Sequence, residues 1–262
     1  MLRSFKRTLL LWLVVMAVTI TACETICAQV KRRGPARGKR PTGEWFTIKT
    51  KHFYVHFPKG SRELAKRAAR VAEDVHKRLT VDVKWRLKSR THIILLDWAD
   101  STNGWAVPIP RNTIAVRPVA PGVPELELAY TDDWLRLVIT HEYAHILTLD
   151  MVSGLPAIIR KVFGRSVSSV PNAFLPQWIL EGYAVYMESK HTAGGRLNGP
   201  YFDMVLRTAV LEGKFNSIAQ AQSGVDSWPR ATQYIYGAMF CKFREICRTW
   251  PVSYTHLTLP TN

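Results

Sequence analysis

The chain is poor in cysteine: four in 262 residues, two of them near the N-terminus. The other two, Cys241 and Cys247, stand six apart in a segment of helical pattern. Their Cβ atoms would point away from each other there, so they are read as two buried thiols rather than a bridge. A disulfide framework is therefore excluded, and stability must come from a buried core. Long apolar runs are missing too. The longest, from Leu9 to Ile20, falls short of the roughly 20 residues that a membrane span needs. No internal repeat is present. Acidic residues are scarce, 20 against 36 Lys and Arg, but the imbalance is local. Residues 1–40 hold nine basic residues against one Glu, 41–90 hold thirteen against five, and from 91 onward the count is fourteen against fourteen. No nucleic-acid motif accompanies the basic excess, so nucleic acid is not an expected partner.

The ends of the chain read as processing segments. Arg3, Lys6 and Arg7 precede the apolar run, as in a secretory signal. Two cleavage sites compete. Ile20-Thr21-Ala22-Cys23 resembles a lipobox, ending the leader at residue 22 with Cys23 lipidated; ordinary cleavage after Ala28 would leave Gln29 first. The lipobox reading is preferred, and it gives a lipid anchor to the membrane. Either way the protein is expected to be exported, as a periplasmic or outer-membrane lipoprotein of a bacterium in the preferred case. Residues 29–43, which include KRRGPARGKR, read as a disordered basic linker beside an anionic membrane surface. Residues 251–262 abandon the helical pattern, and 252–261 match what a common transposase-adapter DNA encodes in one frame. That tail is read as an artefact, with the natural chain continuing past Trp250. Oligomeric state leaves no mark on the sequence.

What is present centres on His141-Glu142-Tyr143-Ala144-His145. On a helix, i and i+4 share a face with Cβ atoms about 5–6 Å apart, so two imidazoles converge on one Zn²⁺. Glu142 is rotated about 100° from His141, which places its carboxylate beside a metal rather than on it. That is the place of a general base for an attacking water. Residues 131–150 carry an apolar stripe at helical spacing, with Thr131 as N-cap and Asp132 and Asp133 in the first turn.

A second apolar segment, 176–189, opens with Pro176 at N1 and contains Glu181. A buried carboxylate must be paired or metal-bound, and no Lys or Arg lies within a turn of Glu181. It is the preferred third ligand, ahead of Glu188 and His191. Gly182 costs about 1 kcal/mol of helix propensity relative to Ala, and close approach to the HExxH helix is the expected compensation.

HExxH followed 36 residues later by the Glu of a W-x-x-E-G-x-A helix resembles the gluzincin metallopeptidases. The nearer likeness is to the peptidase MA-like group of bacterial envelope proteins, which often carry a TolB-like β-propeller after this domain. The likeness spans 44–250, and includes Asn103-Gly104-Trp105-Ala106, Asp132-Asp133-Trp134 and Tyr234-Ile235-Tyr236-Gly237. It implies zinc held by His141, His145 and Glu181, with Glu142 as general base and acid. It also implies an oxyanion-binding Tyr from a later helix, for which Tyr236 is preferred over Tyr234. Gluzincin aminopeptidases place a GxMEN-type Glu before HExxH, whereas here the stretch NGWAVPIPRNTIAV has no acidic residue. An endopeptidase acting on a peptide or protein is thus favoured over an aminopeptidase. The rival reading is a catalytically silent envelope scaffold that keeps the fold.

The expected architecture is α+β and zincin-like: a small mixed sheet with an edge strand over the HExxH helix, and a helical C-terminal half. Strands are expected at 45–57, 92–96 and 113–116, the last at the edge and able to pair with substrate backbone. Helices are expected at 61–79, 131–150, 176–189, 201–212 and 231–248. The connection 151–175 is long enough to mark a functional loop, with a short amphipathic helix around 158–163.

Overall fold

The computed structural model describes residues 43–98, 101–122, 128, 130–165, 170–223 and 231–249. The readings of the leader, of the linker up to residue 42 and of the tail lie outside them, as does the Cys247 side chain. Among the described residues the fold is mixed α+β, with five strands in one sheet and seven α-helices.

The segment 45–57 is a hairpin rather than one strand. β1 (Trp45–Lys49) and β2 (Phe53–Pro58) run antiparallel, because Thr50 reverses the chain by exchanging hydrogen bonds with Phe53. β2 starts the buried alternation, with Phe53, Val55 and Phe57 on the core face. α1 (Arg62–Val83) follows, its Ala65, Ala68, Ala72, Val75 and Leu79 forming one buried stripe. β3 (Thr91–Leu95), β4 (Asn103–Val107) and β5 (Thr113–Arg117) complete a sheet of order β1-β2-β3-β5-β4. β5 is parallel to β3 and antiparallel to β4. The strand at 113–116 is therefore interior, and β4 holds the edge; the apolar run of β5, buried on both faces, fits that place.

α2 (Trp134–Asp150) carries HExxH beneath the sheet. Its N-cap is Asp133, whose carboxylate accepts from the Arg136 N–H at 3.2 Å. Thr131, expected as the cap, instead donates to Leu128 O at 2.7 Å. Two indoles pin the helix. Trp134 Nε1 donates to Arg117 O at one end, and Trp85 Nε1 donates to Asp150 Oδ2 at the other, both at 2.9 Å. Midway, the Tyr143 hydroxyl meets His76 Nδ1 of α1 at 2.6 Å. Burial raises the phenol pKa and lowers His76 to about 4, so the phenol donates to a neutral imidazole.

The 151–175 connection holds α3 (Gly154–Phe163) and a 3₁₀ turn at Pro171–Phe174. The remaining helices are α4 (Gln177–His191), α5 (Pro200–Leu211), α6 (Ile218–Ser223) and α7 (Thr232–Thr249). Pro176 sits at the N-cap of α4, one place before its expected position. The sheet packs on α1 and α2, α2 on α4, and α4 on α7. Gly182 serves this last contact. A Cβ there would lie 2.2 Å from the Gly237 carbonyl carbon, and one on Gly237 would lie 1.9 Å from Trp178 O. The compensation for Gly182 is thus backbone approach to α7, not to the HExxH helix. Glu181, one residue earlier and about 100° around, is turned toward α2. Cys241 on α7 is half-buried rather than buried, and burial lifts its thiol pKa to about 11. No helix among the described residues is long and apolar enough to cross a membrane.

Candidate metal centre

α2 and α4 bring His141, His145 and Glu181 together as a group that can bind a metal ion. His141 Nε2 and His145 Nε2 are 3.1 Å apart, and Glu181 Oε2 lies 3.2 Å from His145 Nε2 and 3.4 Å from His141 Nε2. Donors about 2.0–2.1 Å from a tetrahedral zinc stand about 3.3–3.4 Å from one another. The three atoms therefore make a triangle of nearly the size of one tetrahedral face. Glu181 and His141 are buried, and His145 is half-buried.

The tautomer of His141 is set from behind. Glu188 lies seven residues after Glu181, two turns along the same face of α4. Its Oε2 accepts from His141 Nδ1 at 2.8 Å, so Nε2, facing the triangle, is the nitrogen that would give up its proton to a metal. Glu188 is fully buried and held by a two-pronged Arg196, Nε to Oε1 at 2.7 Å and Nη2 to Oε2 at 2.9 Å. Burial works to raise the Glu188 pKa, but the Arg196 charge and its hydrogen bonds hold the carboxyl at about 2. The expectation that Glu188 is a fallback ligand is replaced by an outer role. The signal was available in the spacing, since a separation of seven on a helix puts both carboxylates on one face. His191, the other alternative, pairs with Asp82 at 2.9 Å and stands apart from the triangle.

Two carboxylates on one imidazole leave a clear electrostatic signature. Burial disfavours the charged ring, yet its hydrogen bonds to the Glu181 and Glu188 carboxylates outweigh it and raise the metal-free His141 to about 9. Burial likewise opposes ionisation of Glu181, but His145 and His141 hold it well below the usual carboxylate range. Metal must displace the His141 proton. Metal affinity should therefore rise with pH by up to about tenfold per unit, levelling near pH 9, with protons released on binding. In the metal-free protein the raised pKa contributes stability in full below about 6.5, and that contribution disappears as pH climbs through about 9. Zinc titrations at several pH values check the first point; an affinity flat from pH 6 to 9 would contradict it.

A cleft of about 440 Å³ opens over the triangle. β4 forms its roof through Asn103 to Val107, and Leu149, Leu180 and Tyr234 line the floor and wall. Gly104 is essential to this closeness, because a Cβ there would lie 2.4 Å from Val138 Cγ2 and 3.0 Å from Glu142 Oε1. The strand backbone thus rests directly on the α2 face that carries Glu142. Glu142 is buried, and burial raises its pKa ahead of the opposing pull of the two histidines. A carboxylate with raised proton affinity in a roofed cleft is equipped to accept a proton.

Of the two candidate tyrosines, only Tyr234 reaches the cleft. Its ring lies 6.4 Å from that of His141, and the Arg196 guanidinium covers it at 4.9 Å. Tyr236 turns the other way, packing on Phe215 and accepting from Asn216 N–H at 3.1 Å. The preference for Tyr236 therefore passes to Tyr234 on geometry, because Tyr234 lies three residues before Gly237 and shares its α4-facing side. No protein-family model matches the chain, and no curated protein matches it.

Proposed function

We propose that the protein is a zinc-dependent peptidase of gluzincin type that cleaves internal bonds of peptides or proteins. The observation that carries this reading is the His141–His145–Glu181 triangle, whose sides suit one face of a tetrahedral zinc site. Three protein donors leave a fourth position free, as catalytic rather than structural sites do. Zinc, when bound, supplies Lewis acidity to a water and to the carbonyl under attack.

The remaining work belongs to the chain's own side chains. Glu142 accepts the proton of the attacking water and returns it to the departing amine. Tyr234 donates to the oxygen that gains charge. β4, as the exposed antiparallel edge over the cleft, offers unpaired backbone groups to an extended substrate strand. This strand takes over the role expected of 113–116. It carries no carboxylate to grip a free amine, which favours an endopeptidase. We place the enzyme at the bacterial envelope, held by a lipid on Cys23, in keeping with the leader and the basic linker.

The test is metal content with activity. The purified protein should hold about one zinc per chain and cleave members of a broad peptide library. Chelation should abolish cleavage, and zinc should restore it. His141→Ala, His145→Ala and Glu181→Ala should each weaken zinc binding beyond the roughly 10–100-fold typical of an outer-shell partner. Full zinc occupancy in Glu181→Ala would show that another carboxylate is the ligand.

A further inference from the structure

A second concavity, away from the cleft, is lined by cations and by no carboxylate. Its origin is topological. β2, β3 and β5 are parallel neighbours, with Phe53 paired to Thr91 and His92 to Thr113, so their N-terminal ends lie side by side. Each is preceded by basic residues: Lys51 before β2, Lys88 and Arg90 before β3, and Arg111 before β5. The sheet gathers these into a pocket of about 490 Å³, to which Tyr54, Ser89 and His92 add polar hydrogens.

Several cations elsewhere in the fold have carboxylate partners. Arg136 pairs with Asp74, Arg165 with Asp150, Arg196 with Glu188, and Lys190 with Asp82. Among the described residues, Lys51, Lys88, Arg90 and Arg111 form no such pair. Glu73 stands nearby but is engaged by His52, from its backbone at 2.8 Å and its ring at 2.6 Å. Arg90 is already positioned, with Nε donating to Thr50 O at 3.0 Å and the guanidinium over the Tyr54 ring at 5.5 Å. Four converging positive groups in one concavity raise the local potential and favour an anion of matching charge. A monoanion would leave most of that charge uncompensated. Phosphoryl oxygens suit both the planar fork of Arg and the point charge of Lys.

We propose that this pocket binds a phosphoryl anion of two or more negative charges, free in solution or presented as a lipid headgroup. The full chain is titrated calorimetrically with inorganic pyrophosphate, and its capture by phosphatidylcholine vesicles with and without phosphatidic acid is measured. Lys88→Gln/Arg111→Gln is the informative variant: both side chains are exposed, so the fold is kept, and the metal centre is untouched. Lys77→Gln, on an exposed site of α1, controls for net charge. Wild type and Lys77→Gln should bind pyrophosphate saturably and alike. The double variant should bind about tenfold or more weakly, and added salt should erode the difference. If capture by phosphatidic acid also falls in the double variant, the ligand is a headgroup. If only pyrophosphate binding falls, it is a soluble phosphate. Equal binding of both probes by wild type and double variant, or no saturable binding by wild type, overturns the proposal.

Discussion

Glu142→Gln is expected to lower kcat by about 10²–10⁴ while zinc content and fold are retained. The amide keeps the shape of the carboxylate but cannot take a proton. The place leaves little room for a substitute, because Gly104 of β4 sits on the Glu142 carboxylate and roofs that part of the cleft. The same burial that raises the Glu142 pKa destabilises its ionised form in the resting protein. The variant should therefore melt at the same temperature as wild type or above it, which separates lost chemistry from lost structure. Turnover equal to wild type across a broad peptide library would instead support a silent scaffold, since a binding protein has no use for a base at this position.

The His141, His145 and Glu181 group was legible because its signals are local. The i, i+4 histidines, the apolar stripe around them and Glu181 in an apolar helix all follow from periodicity and from the penalty on a buried charge. What escaped depends on pairing between distant segments. Residues 45–57 alternate well enough to pass for one strand, and only the Thr50–Phe53 exchange shows that the chain turns back. Nor did 103–107 read as a strand: the expected strands pass from 92–96 directly to 113–116, which was placed at the edge, and only pairing with β5 makes β4 a strand outside it. The strand order makes β4 the edge and so converts Asn103-Gly104-Trp105-Ala106 from a suggestive phrase into the roof of the cleft. Gly182 illustrates the same limit. Its need for a close neighbour was readable, but the HExxH helix was expected in that place, whereas the fold sets Gly237 of α7 against it.

Arg196 was missed for another reason: it stands in a glycine-rich loop, HTAGGRLNG, that reads as surface. The fold buries it to 7% exposure, where an unpaired guanidinium would be costly, and Glu188 answers it. Through Glu188 it fixes the outer nitrogen of His141, and through its face it covers the ring of Tyr234. One buried ion pair thus orients a candidate metal ligand and the tyrosine beside it, joining α2, α4 and α7 at the cleft.

That junction makes Tyr234→Phe the sharpest test of the wall of the site. The substitution removes one oxygen and keeps the ring on which Arg196 rests, so packing and the His141–Glu188–Arg196 chain should survive. As water attacks, the carbonyl oxygen gains charge, and a phenol about 3 Å away stabilises that oxyanion more than the ground-state carbonyl. Losing the donor should lower kcat by about 10²–10³, with little change in KM or zinc content. Tyr236→Phe should leave turnover near normal. Its hydroxyl serves Asn216, so the expected loss is of stability, about 0.5–1.5 kcal/mol for one hydrogen bond. Steady-state kinetics and thermal melts on the two variants read both effects. Normal turnover in Tyr234→Phe with the loss falling on Tyr236→Phe would place the oxyanion donor on the other side of α7. It would also require that helix to rotate relative to α4, a motion that the Gly182–Gly237 backbone contact resists.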